Sequence, residues 1–352
     1  MYLLAIDWLF ILEKLILIAL IVTLCMIVAM YATYAERKVA AFIQDRLGPN
    51  RAGPFGLLQP LADGGKLFFK EEIIPLASSK FLFVLGPMLA MITALISSAV
   101  IPWGTPLNIS GREVPLQVAD INVGILYIFA VASVSVYGIM IGSWASNNKF
   151  SLLAGVRGAS QMISYELALG MALIAVLMLT GSMQLSDIVK TQQQNGWNVL
   201  YQPLGFLIFF ICSLAECNRT PFDLPEAENE LNMGYHQEYS SMKLGFYLFA
   251  EYIHMFMAGI IMATLFWGGY DIPFVNEQNL AQRIGDNWVA FLSFATLMTK
   301  AFISVFIFMW IRWTVPRFRF DQLMHLGWKR LVPLALLNMI LTAAVVLWLN
   351  NN

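Results

Sequence analysis

Charge is scarce in this chain. Asp, Glu, Lys and Arg make up 12% of its 352 residues, about half the share found in soluble domains. With 59% hydrophobic residues and a mean hydropathy of +0.68, that scarcity excludes an ordinary soluble domain. The chain reads as a polytopic helical membrane protein, all-α, with one transmembrane domain over residues 1–352. Cysteine is nearly missing. Cys25, Cys212 and Cys217 give no disulfide framework and no metal spacing. They also fall short of the four thiolates of an iron–sulfur cluster. His236, His254 and His325 are the only histidines, and without a His/Cys cluster no metal site is expected. Walker, GxGxxG and Ser-His-Asp patterns are missing too. No bound metal or flavin is therefore expected, and the chain has no visible means of redox chemistry of its own. No nucleic-acid partner is expected; the net charge of −1 says nothing about partners, and the distribution of charge says more. The N-terminus lacks a basic segment and a small-residue cleavage site, so the first apolar run reads as a retained span.

What is present is long apolar runs. A span needs about 20 mostly apolar residues, and eight candidates occur, at roughly 9–34, 81–102, 121–144, 161–180, 203–216, 242–268, 288–311 and 331–349. The fifth is short; it is expected to tilt or to continue into the acidic run after Glu216. Sixteen of the twenty-one Lys and Arg residues lie in 36–80, 145–160, 217–243 and 312–330. The intervening loops hold only Arg112, Lys190 and Arg283. The positive-inside rule puts the first set on the cytoplasmic or matrix side and both termini on the other. In the long inside loop, residues 55–72 set Leu57, Leu58, Leu61, Leu67, Phe68 and Phe69 among charges, the pattern of an amphipathic segment in the interface plane. Inverted halves with interrupted helices are not evident.

The chemistry is carried by carboxylates. Residues 216–230 hold Glu216, Asp223, Glu226, Glu228 and Glu230 against Arg219, between two runs long enough to approach or cross a bilayer. Charge beside hydrocarbon persists when it is paired, wet or useful, so the run suggests proton or cation handling. Pro221 and Pro225 equally allow a solvated cytoplasmic loop. Glu36 ends the first run, Glu166 lies within the fourth, Glu216 ends the fifth and Glu251 is midway along the sixth. Buried carboxyls exchange protons near neutral pH, and several linked by water make a proton path. Each could instead pair with a polar neighbour to fix helix packing. Tyr247, Glu251 and His254 recur one turn apart, a stripe expected to face protein or water; His254 alone reads more simply as a packing residue. Arg37, Lys38, Arg46, Arg51, Asp63, Lys66, Arg312, Arg317 and Arg319 flank spans. They either orient the protein or line a wet, charged mouth for an amphipathic ligand.

These residues also carry a resemblance. Glu36-Arg37-Lys38, the string from Gln44 to Arg51, the string from Leu58 to Asp63, and Lys66-Leu67 resemble the first inside loop of one membrane component of respiratory complex I. It is the H subunit of the bacterial NADH:quinone oxidoreductase, which joins the complex's two arms. Ser164-Tyr165-Glu166, the run from Ala215 to Glu230, Glu238-Tyr239, Glu251-Tyr252 and the string from Pro316 to Met324 are similar to its other motifs, in order and over almost the whole chain. The resemblance implies eight spans with a tilted, partly broken bundle. It implies a tunnel by which ubiquinone or menaquinone, as substrate, reaches the peripheral arm. It also implies a proton path through Glu166, Glu216, Glu226 and Glu251, and a tunnel mouth at Glu36, Arg37, Asp63 and Arg312 with Arg46 nearby. The implied partners are the other membrane-arm and peripheral-arm subunits and membrane lipids. The redox centres would lie in other subunits. The implied location is the bacterial plasma membrane rather than the mitochondrial inner membrane. Asn232 and Phe320 depart from the family's usual residues there. A stand-alone proton or cation transporter is the alternative from another class, and the related component of membrane-bound hydrogenases is a second one.

Overall fold

The computed structural model describes residues 8–351 apart from Ser110, Phe274 and Asn276. Helix α1 (Trp8–Ile43) is followed by an in-plane helix α2 (Gln59–Phe69) and by α3 (Lys80–Ile96), which a short 3-10 turn extends to Val100. A small hairpin, β1 (Leu107–Ile109) paired antiparallel with β2 (Arg112–Val114), leads to α4 (Gly124–Ala145) and α5 (Lys149–Thr180). Then come the short α6 (Leu185–Asn195) and α7 (Asn198–Tyr201), α8 (Pro203–Glu216), the single turn α9 (Glu228–Leu231) and α10 (Ser241–Phe266). The chain closes with α11 (Glu277–Ile284), α12 (Asp286–Thr314), α13 (Phe320–Leu326), a π turn over 327–331 and α14 (Val332–Asn351). Among the described residues seven helices are long and apolar enough to cross a membrane, and α8 is a shorter apolar one. The all-α, multi-pass reading of the sequence holds.

Three differences from the sequence reading position the site. Helix α1 does not stop near residue 34 but runs 36 residues, ~54 Å at 1.5 Å per residue, so it carries Glu36 beyond the apolar run while keeping it inside the bundle. Helix α5 starts twelve residues before the expected 161. Asn148 caps it by accepting from the Phe150 amide, the orphan-donor role of an N-cap side chain. Its first turns are rich in small and polar residues because the acidic run lies against them. A methyl on Gly158 would come within 2.7 Å of the Pro225 ring, and Ser151 donates to the Tyr235 carbonyl at 2.8 Å. Residues 181–202, which read as a loop, contain α6 and α7. There the buried Gln192 donates to the Thr264 carbonyl at 2.8 Å and accepts from the Asn198 and Gly268 amides.

Helix α8 is the short member of the bundle. Fourteen residues span ~21 Å, less than the ~30 Å hydrocarbon core. The chain goes on as irregular backbone over 217–227 that is buried, not solvated: Cys217, Asn218, Arg219, Asp223 and Leu224 are all inside. Such backbone is tolerated at membrane depth only if its polar groups are satisfied within the protein. Gln161 of α5 meets that requirement, its amide donating to the carbonyls of Ala215 (2.7 Å) and Phe222 (2.6 Å). The Thr220–Pro221 bond is cis. Helix α10 is the most buried of the seven long spans and packs against α1, α3 and α12.

Candidate functional site: a buried network of carboxylates and arginines

Helices α1 and α10 converge on Arg219, which follows α8, and α12 joins them through Glu36. The Arg219 guanidinium lies 4.3 Å over the Tyr252 ring. One nitrogen approaches Glu36 Oε2 of α1 at 3.4 Å and the other Glu251 Oε2 of α10 at 3.7 Å. Glu36 also accepts from the Tyr252 hydroxyl at 2.8 Å and pairs with Arg312 of α12 at 2.5 Å. Glu251 accepts from the Tyr235 hydroxyl at 2.9 Å, and the Glu226 carboxyl lies within hydrogen-bond reach of it. Two carboxyls can bond to each other only with a proton between them. Glu36, Glu251 and the Tyr252 ring surround the guanidinium. Unpaired buried charge is costly while multiply paired charge is tolerated, which explains why the carboxylates sit around one arginine.

Asp223, fully inside the run, pairs with Arg317 at 2.8 Å. Glu226 and Arg219 are its other charged neighbours. Two small cavities continue the network. One of about 30 Å³ is lined by Glu251, Tyr235, Tyr247, His254, Cys217 and Glu216. The other, of about 50 Å³, is lined by Glu216, Cys217, His254, Ser213, Ser97 and Thr93 among others. Each has room for one or more waters, since a water needs roughly 10–15 Å³ of such space. Glu216 and His254 line both. Glu166 lies within electrostatic reach of Glu216 and is held by the Ser133 hydroxyl of α4. The stripe of Tyr247, Glu251 and His254 faces this interior. Tyr247 donates to the Gly138 carbonyl at 3.0 Å, and a methyl on Gly142 would fall 1.9 Å from its hydroxyl.

Glu166, Glu216, Glu226 and Glu251 thus come together. The five mouth residues do not. Glu36 and Arg312 belong to the buried network, Glu36 being only 5% exposed. Arg37 and Asp63 pair at 2.7 Å on the surface, tying α1 to α2, with Gln59 also donating to Asp63. Arg46 is exposed and bonds Gln44. Glu230 pairs with Arg157 outside the network, and the side chain of Glu228 lies outside the described ones. Sequence reasoning named Arg219, Asp223 and Arg317 without joining them in one network, and it gave no role to Tyr235, Tyr252 or Ser133. Arg219, as the lone cation among five carboxylates, was the available signal. Asn232, one of the departures from the usual pattern, has φ 62°, a left-handed conformation that Asn adopts more readily than a β-branched residue. Among the described residues no group of three or more His, Cys, Asp or Glu is arranged to hold a metal ion.

The fold and this site define a polytopic helical membrane protein that encloses a hydrogen-bonded acidic network at the end of a shortened span. The comparisons carry this further. The family described as NADH dehydrogenase matches residues 15–343. The H 1 subunit of NADH-quinone oxidoreductase from Cytophaga hutchinsonii is 59% identical over 338 residues, covering 96% of this chain and 98% of that one. The H subunit from Flavobacterium johnsoniae is 59% identical over 338 residues, 96% of each chain. An H 1 subunit from Geobacter metallireducens is 48% identical over 330 residues, 94% of this chain and 95% of that one. The chain belongs to the family of H subunits of NADH-quinone oxidoreductase, respiratory complex I. It is a multi-pass membrane component of that complex, and the complex's other subunits are its partners.

Proposed function

We propose that this chain provides the path by which a membrane quinone reaches its reduction site, and that its buried carboxylates couple the reduction to proton translocation. One observation carries the reading: Glu36, on the segment of α1 that leads to the inside loop, is joined through Arg219 to Glu251 and Glu226. The two cavities lead on from there to Glu216, and Glu166 lies within electrostatic reach of it. A change of charge near Glu36 and Arg312 alters the field at Arg219, and the proton held among Glu226, Glu251 and Glu216 responds. Neighbouring subunits supply the electrons; this chain contributes shape, charge and water. Arg37, Asp63 and α2 frame the entrance, where the exposed Leu61, Phe68 and Phe69 face the membrane interface. Arg46 extends the basic rim. The membrane is the bacterial plasma membrane.

Glu216→Gln keeps the shape and removes the one carboxyl among the lining residues that both cavities share. In the intact complex reconstituted in vesicles, proton pumping should fall by on the order of tenfold or more, with assembly and reduction of a water-soluble artificial acceptor preserved. Unchanged pumping would remove Glu216 from the path.

A further inference from the structure

On the side that the loop charges mark as outer, α1 and α12 diverge. The gap is a groove of about 330 Å³ whose walls are apolar, formed by Leu17 and Leu20 of α1, Phe291 and Phe294 of α12, and Trp103 and Leu116 of the intervening loop. Leu17 to Leu24 occupy the third to fifth turns of α1, and Ala290 to Phe294 the second and third turns of α12. The groove's upper end is charged. Lys14 is one turn before Leu17 on the same face of α1. One of the three donors of its ammonium goes to the Gln117 carbonyl at 2.6 Å, beside Leu116. Arg112 of β2 stands at the same end, paired with Glu13 at 3.3 Å. Glu13 and Asp120 are the anions acting on Lys14, and Asp120 is engaged by Ser186.

We propose that this groove is a binding site for one phospholipid, its phosphodiester at Lys14 and one acyl chain between α1 and α12. The rim is balanced, with two cations and two carboxylates, which favours a zwitterionic headgroup over a multiply anionic one. The chain needs no polar partner, and the groove offers none. An acyl chain seated there fills the gap beside the first span without ordering a second protein surface.

The test is photo-crosslinking in the intact complex. p-Benzoylphenylalanine is placed at position 20 in the groove and, for comparison, at position 340 on the exposed face of α14. The complex is purified, exchanged through a second detergent and irradiated, and the mass of this polypeptide is measured. Position 20 should gain the mass of one zwitterionic phospholipid, and position 340 should lose its adduct on exchange. Lys14→Gln, with position 20 still labelled, should lower the retained adduct roughly tenfold, the weight of a charge-assisted hydrogen bond. Leu17→Trp, which fills the groove and keeps the surface apolar, should abolish it. The proposal is overturned by an adduct with a neighbouring polypeptide or with quinone, or by loss of lipid at both positions alike. Retention unaffected by Lys14→Gln would overturn the headgroup assignment.

Discussion

At the residue scale, burial sets the behaviour of each carboxyl more than its place in the sequence. Asp223 is buried against Arg317 at 2.8 Å. Asp223→Asn leaves Arg317 without its anion, and the melting temperature of the purified complex should fall by a few degrees. An unchanged melting temperature would show that the pair adds nothing to stability. Glu36 makes the same point from the other side. Its position after an apolar run suggests an interfacial charge, yet α1 carries it inside to meet Arg219, Tyr252 and Arg312.

At the scale of elements, the amphipathic α2 is tied to α1 by the ion pair of Arg37 and Asp63 and to α10 by Ser241, which donates to the Leu67 carbonyl at 3.1 Å. The Arg37 and Asp63 side chains are partly exposed, so the pair is worth only about 0–1 kcal/mol. Asp63→Asn should leave assembly intact and let α2 shift. Quinone reductase activity should fall several-fold while reduction of a water-soluble acceptor upstream is spared. If both fall together, the damage is to assembly. Helix α14 is mostly exposed, and its polar hold on the bundle is a clamp to the start of α8. Asn338 donates to Gln202 at 2.8 Å, and Gln202 donates to Thr342 at 2.5 Å. Interhelical bonds of this type contribute ~0.6–2 kcal/mol. Asn338→Leu should lower the melting temperature of the complex by a few degrees, as measured by differential scanning fluorimetry, without changing turnover. A loss of turnover would give the clamp a role beyond packing.

At the scale of the whole molecule, the bundle is built around a deliberate defect. Helix α8 is too short, and the gap is filled by a folded acidic segment instead of lipid. Arg219 ties that segment to α1 and α10 at once. Removing a buried partner of this kind costs about 3–5 kcal/mol because the opposing charges remain, so Arg219→Met should lower the yield of assembled complex. Arg219→Lys keeps the charge but loses the two-pronged reach to Glu36 and Glu251. It should assemble and show reduced coupling, read as protons moved per NADH oxidised in vesicles. Normal coupling in the lysine variant would make Arg219 a purely structural ion.

The sequence by itself determined the membrane class, the approximate spans and the four carboxylates that gather inside. Hydrocarbon tolerates few charges, so their positions stand out against long apolar runs. The in-plane segment was legible for a similar reason, since Leu61, Phe68 and Phe69 alternate with charge at an interface. Tertiary structure alone decided which charges are partners. Glu36 and Arg219 are 183 positions apart, and no local pattern pairs them. It also decided that residues 217–227 are buried. The Pro-rich spacing is equally that of an exposed loop, and only the docking of Gln161 and the small residues of α5 supplies the hydrogen bonds and space that let irregular backbone lie inside the bundle.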